Sequence, residues 1–273
     1  MLPGAQPLLL VGAGKMGGAM LDRWLARGLD ATDVTILDPY LEGDRWATLA
    51  KAGIASARNI AEAADRPYKV IVLAVKPQSM AEALADVPAL ASPGTTIVSI
   101  AAGVRLATLE RAFPEGQAIV RAMPNTPAQV GMSMTVAVAN AHVTGAERNV
   151  VHVLLSAIGK LAWIDDEALI DAVTAVSGSG PAYVFLLAEC LADAAREAGL
   201  PHDLAEILAR QTVAGSGALL AESPLPPKTL RENVTSPGGT TAAAISVLMD
   251  KDGLKALLVR AVAAAKKRSI ELG

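Results

Sequence analysis

Cysteine is almost missing from this 273-residue chain. Cys190 stands alone, so no internal disulfide can form and a reducing, cytoplasmic setting is expected. Aromatic residues make up only 3%, too few to build base-stacking platforms. There is no excess of positive charge: 24 Lys and Arg face 27 Asp and Glu, a formal net charge of -3, which leaves no basic footprint for nucleic acid. The one dense basic cluster, "KKR" at 266–268, is expected to complement the end of a helix. His142, His152 and His202 lie apart and no Cys/His group has ligand spacing, so no metal site is expected. No 18-residue run is free of both charges and Gly or Pro breaks, which argues against a membrane span. The opening "MLPGAQP" lacks a basic segment followed by an apolar one, so secretion is not expected and the tripeptide "NVT" at 233–235 reads as a chance match to a glycosylation acceptor.

What is present is abundant apolar material, 52% of residues with a mean hydropathy of +0.39, in a chain long enough for two domains. Up to about residue 164, short β-branched or Leu-rich runs alternate with helix-period segments, the pattern of repeated βαβ units. Strands are predicted at 7–11, 34–37, 70–75, 96–100, 118–121, 134–138 and 161–164. "KVIVLAV" is apolar throughout, as a strand covered on both faces should be. Beyond residue 165 the strand signal stops and Ala/Leu-rich helical stretches take over. The fold class expected is therefore an α/β Rossmann domain with a doubly wound, mostly parallel sheet at 1–164, followed by an all-helical domain at 165–273. The stretch "YVFLLAECLADAAREA" at 183–198 is apolar over so wide an arc that a second subunit is its natural cover. An intramolecular helical core would also satisfy it.

"LLLVGAGKMGGAM" sets Gly12, Gly14 and Gly17 in G-x-G-x-x-G spacing after a strand and at the start of a helix. Such a turn lets a pyrophosphate approach main-chain amides at a helix N-terminus. Lys15 and Met16 fall within it. Asp38, ending the second strand, is placed to accept a hydrogen bond from a ribose hydroxyl and so favours NADH. Arg45, Lys51 or Arg58 could instead reach a 2′-phosphate, and Asp38 could cap the following helix, so both NADH and NADPH are admitted. Ala74, Val75, Lys76 and Pro77 leave a strand at the carboxyl edge, where ligands collect in this architecture, although Lys76 could equally be a solvated side chain before a helix starting at Pro77. Asn59 is a further cofactor-binding candidate.

One segment is odd among helices: "SPGGTT" at 236–241, a turn of main-chain donors leading into a helix predicted at 241–250. It suits a nest for a carboxylate. It also suits a plain N-cap turn with Ser236 or Thr240 capping.

Together "VGAGKMGGAM", "AVKPQ", "SIAAGV", "RAMPNTPA", "AVSGSGPAYVF" and "VTSPGGTTAAA" resemble, end to end, the pyrroline-5-carboxylate reductases. The resemblance implies NAD(P)H-dependent reduction of L-1-pyrroline-5-carboxylate to L-proline, the last step of proline biosynthesis. It further implies a homo-oligomer built through the helical domain, with the active site where the Rossmann domain of one subunit meets the helical domain of its partner. In it Thr241 would hydrogen-bond the substrate nitrogen, Ser236, Gly238, Gly239 and Thr240 would receive the carboxylate, and Asn125 in "MPNTPA" would adjoin cofactor or substrate, unless it only stabilises its loop. Related β-hydroxyacid dehydrogenases use a Lys in the first long helix, and 183–198 contains none. A non-catalytic dinucleotide sensor would have no need of the donor-rich turn.

Overall fold

The computed structural model describes residues 4–41 and 43–273. Two compact units emerge, one running to Gly178 and including Lys266–Gly273, the other Ser179–Ala265. The first therefore extends past the division expected at 164, because Ile170 is buried in the core under the sheet and Val173 packs against it.

The first unit begins with β1 (Leu8–Val11), α1 (Lys15–Ala26), β2 (Val34–Leu37), α2 (Asp44–Lys51), β3 (Ala55–Ala57) and α3 (Ile60–Ala63). It continues with β4 (Val70–Leu73), α4 (Met80–Asp86), β5 (Thr96–Ser99), α5 (Leu106–Ala112), β6 (Ala118–Met123) and β7 (Ser133–Ala139). Then follow α6 (Gly145–Ser156), β8 (Gly159–Trp163) and α7 (Ile170–Val173). The sheet order is β3-β2-β1-β4-β5-β6-β7-β8, parallel throughout except for the β6–β7 pair. The chain thus winds outward from β1 in both directions, and the order reverses between β1 and β4, the point at which open α/β sheets bind ligands.

The seven predicted strands form, with ends moved by at most two residues. An eighth, "ASA" at β3, went unforeseen because so short a segment of small residues carries no apolar run. Alternation divides the core. Leu8 and Leu10 face a layer with Met20, Leu21 and Trp24 of α1 and Leu154 and Leu155 of α6, while Leu9 and Val11 face Tyr68, Met80, Leu109 and Phe113. Trp24 is the largest fully buried side chain, and its Nε1 donates to the Leu154 carbonyl at 2.9 Å.

Of the second unit, α8 (Gly180–Glu197) and α9 (His202–Glu222) pack on each other through Ala192, Ala205 and Ala209, small side chains that let the helices approach closely. Phe185, Leu187 and Ile207 stay exposed. After these come α10 (Pro227–Asn233), α11 (Thr240–Leu248) and α12 (Leu254–Leu272), whose residues from Lys266 onward belong to the first unit. The basic cluster at 266–268 precedes the last turn of α12 rather than ending it, and Arg268 pairs with Glu271 at 3.0 Å.

One described stretch, Glu167–Glu197, is long and apolar enough to cross a membrane by length and composition alone. A turn of π-helix at Thr174–Gly178 and the Gly180-Pro181 start of α8 interrupt it, and α8 carries four charged residues toward its C-terminal half.

Replacing Trp24 by Ala removes a buried indole and its hydrogen bond together. A loss of about 3–5 kcal/mol is expected in urea denaturation monitored by circular dichroism.

Candidate functional site

Each glycine of the first motif has a different reason to be glycine. Gly12 has φ +88, and a Cβ there would meet Val75 at 3.0 Å and the Ala74 main chain at 3.1 Å. At Gly17 a Cβ would fall 2.2 Å from the Gly12 carbonyl oxygen. Gly14 meets nothing within 4 Å, so the protein itself does not demand a glycine there. That open space lies at the N-cap of α1, which has no side-chain cap. The first amides of α1 are therefore available to an anion, and the room to reach them is provided by the missing side chain.

Asp38 does not cap α2, whose N-cap is Gly43. Instead one carboxylate oxygen accepts from the Ala13 amide at 2.9 Å and the other from the Tyr40 amide at 3.0 Å. The carboxylate is thereby tied to the glycine turn itself. Arg45 lies over Gly18 and pairs with Asp22 at 3.3 Å. Lys15 is exposed and Met16 half-buried at the head of α1. Lys76 is extended at φ -64, ψ 150 before a 3-10 turn opened by Pro77, and Ala74 and Val75 lead into it half-buried. Asn59 has a structural duty, since its side chain accepts from the Glu62 amide and donates to the Glu62 carboxylate, capping α3. All these residues follow the C-terminal ends of parallel strands, so the fold gathers them along one edge of the sheet.

Asn125, expected to adjoin cofactor or substrate or else to stabilise its loop, commits its amide to the protein. Its Oδ1 accepts from the Met134 amide at 2.9 Å, and its Nδ2 donates to the Ser177 carbonyl at 3.0 Å and hydroxyl at 3.3 Å. Sequence reasoning also missed an ion pair between buried Arg121 and half-buried Glu167 at 2.6 Å, in which Glu167 additionally receives the Leu106 amide at the start of α5. No short-range pattern announces it. Ser177 did lie inside the quoted "AVSGSGPAYVF", where only its glycines and Pro181 drew attention.

In the second unit Gly238 has φ +70 and Gly239 is the N-cap of α11, with no side-chain cap. The Gly239 amide donates to the Ser236 carbonyl at 3.1 Å, and the first helical bond runs from Ala243 to Gly239. Neither Ser236 nor Thr240 caps the helix, which begins one residue before the predicted Thr241. A Cβ on Gly239 would fall 2.4 Å from the Ser236 hydroxyl oxygen and would turn that side chain aside. The amides of Thr240, Thr241 and Ala242 precede the first helical bond and point outward from the positive end of the helix dipole. Thr241 itself is half-buried. Among the described residues no group of three or more His, Cys, Asp or Glu could hold a metal.

Residues 167–272 match the family model for pyrroline-5-carboxylate reductase dimerisation, and residues 8–103 match that for NADP oxidoreductase, coenzyme F420-dependent. A pyrroline-5-carboxylate reductase of Pseudomonas aeruginosa is 43% identical over 97% of this chain and 96% of its own. The chain belongs to the pyrroline-5-carboxylate reductase family. Synechocystis has a pyrroline-5-carboxylate reductase 41% identical, over 97% of both chains. The pyrroline-5-carboxylate reductase structure from Coxiella burnetii superposes with a TM-score of 0.90 at 33% identity over 99% of each chain. That of Plasmodium falciparum pyrroline carboxylate reductase, with NADP bound, superposes at 0.83 with 29% identity over 98% of each.

Two substitutions separate fold from function at the glycine turn. Gly14→Val should weaken NAD(P)H binding by tenfold or more, about 1.4 kcal/mol, with melting temperature nearly unchanged. Gly17→Val should lower the melting temperature itself. Fluorescence titration and thermal melts distinguish the two.

Proposed function

We propose that the uncapped N-terminus of α11 receives the substrate carboxylate and that Thr241 hydrogen-bonds the ring nitrogen. The activity is NAD(P)H-dependent reduction of L-1-pyrroline-5-carboxylate to L-proline, as family membership implies. The observation that carries the site assignment is the turn from Ser236 to Thr241, whose glycines leave three amides free of side-chain caps. A small ring with a carboxylate and an imine needs little else: anion-binding donors, and one hydrogen-bonding group for nitrogen. A cyclic imine is basic enough to carry its own proton, so Thr241 orients and polarises the C=N bond. Positioning then accounts for most of the catalysis.

The dinucleotide, when bound, supplies the hydride. The open space at Gly14 and the bare amides of α1 fit its pyrophosphate, with Gly12, Lys15, Met16 and Gly17 forming the turn. Ala74, Val75, Lys76 and Pro77 line the next strand end, and Asn59 and Asn125 shape the rim. We infer a preference for NADH, because Asp38 is locked against the glycine turn, where its charge would repel a 2′-phosphate. Arg45 pairs with Asp22, which opposes a role for it on such a phosphate.

The exposed Phe185, Leu187 and Ile207 support a homodimer through the helical unit, which would also cover the apolar stretch Glu167–Glu197 in a cytoplasmic enzyme.

Mixed with pyrroline-5-carboxylate, the protein should consume reduced dinucleotide, NADH faster than NADPH. Absence of turnover with both refutes the reading. Thr241→Ala should slow turnover on the order of tenfold or more while leaving dinucleotide affinity unchanged. In sedimentation, Phe185→Asp should shift the protein from dimer toward monomer.

A further inference from the structure

Asn125 and Met134, nine positions apart, and the distant Ser177 close a ring of hydrogen bonds in the first unit. The Met134 amide donates to Asn125 Oδ1 at 2.9 Å, Asn125 Nδ2 donates to the Ser177 carbonyl at 3.0 Å and hydroxyl at 3.3 Å, and the Ser177 hydroxyl donates to the Met134 carbonyl at 3.1 Å. Every proton in the ring has an acceptor. Nδ2 of Asn125 thus turns toward Ser177 and its Oδ1 toward the Met134 amide, so the side chain is held by the protein at both ends.

The ring joins the end of β6, the start of β7 and the π-turn Thr174–Gly178, a rare geometry that recurs at functional sites. Gly178 closes the same junction, since a Cβ there would fall 2.7 Å from Met123 Cε. On its far side the β6–β7 connection is held by Arg23 of α1, whose guanidinium donates to the Gln129 carbonyl at 2.7 Å. The connection is thus fastened both to the helix that heads the dinucleotide turn and to the π-turn.

We propose that Asn125 and Ser177 are a positioning pair for hydride transfer, setting the carboxyl end of β6 against the dihydronicotinamide without contacting either reactant. This rests on the dinucleotide reading above. The pair acts as one unit, so losing either member should do the same damage as losing both.

The test is a double-mutant cycle on kcat with Asn125→Ala, Ser177→Ala and the double variant, together with Asn125→Asp, which keeps the acceptor for Met134 but has no proton to give Ser177. Each single variant should lower kcat by about tenfold and NADH affinity by less than about twofold. The double variant should be no slower than the worse single variant, and Ser177→Thr should restore kcat to within about twofold of wild type. Independently of turnover, hydrogen exchange at the Met134 amide should accelerate in Ser177→Ala. Multiplying effects in the double variant, or unchanged Met134 exchange, overturn the inference while wild-type turnover leaves the parent reading intact. Absence of wild-type turnover sinks both.

Discussion

The first turn of α1 lies so close to the end of β1 that a methyl group at position 17 would sit 2.2 Å from the Gly12 carbonyl oxygen. Much else in the first unit follows from this approach. It brings the bare N-terminus of the helix to the point where the strand order reverses, and it seats Trp24 of the same helix beneath the Leu154 carbonyl. It also leaves the Ala13 amide facing the end of β2, where Asp38 accepts it. A larger residue at 17 would push the helix outward and disturb all three relations together.

The same physics recurs in the helical unit with a different cargo. Gly238 and Gly239 do for α11 what Gly12 and Gly14 do for α1: the backbone turns sharply and the helix starts without a side-chain cap, leaving amides for an anion. Both helix starts offer main-chain donors to an anion, with no side-chain cap in the way. That is consistent with a chain whose net charge is -3 and with a reaction that needs orientation more than an ionised side chain.

Much of the architecture was legible before any coordinates. The apolar runs of β1, β2, β4 and β5 are buried on both faces, and such strands announce themselves residue by residue. The strand β3 did not, because its pairing with β2 depends on the neighbour rather than on its own three small residues. The glycine motifs were legible because their spacing is local, although Gly12 itself is confined by Ala74 and Val75 of a distant strand end. Asn125 was read as a neighbour of the ligands or a stabiliser of its loop, and an amide in a loop gives no sign that it will reach Met134 and Ser177. Ser236 and Thr240 fitted a capping pattern, yet the helix starts behind Gly239 and uses neither.

The division falls along sequence distance. Turn chemistry, strand runs and helix starts are decided within a dozen residues, so glycine spacing and apolar periodicity suffice to specify a dinucleotide fold and a donor-rich turn. Asn125 and Ser177 stand 52 positions apart and Arg121 and Glu167 46, and neither pair has a local signature. Only closure of the sheet, with β7 turned antiparallel against β6 and the chain returning through α7, brings those groups within hydrogen-bonding reach. There a buried polar group must find a partner, and the packed structure determines which one.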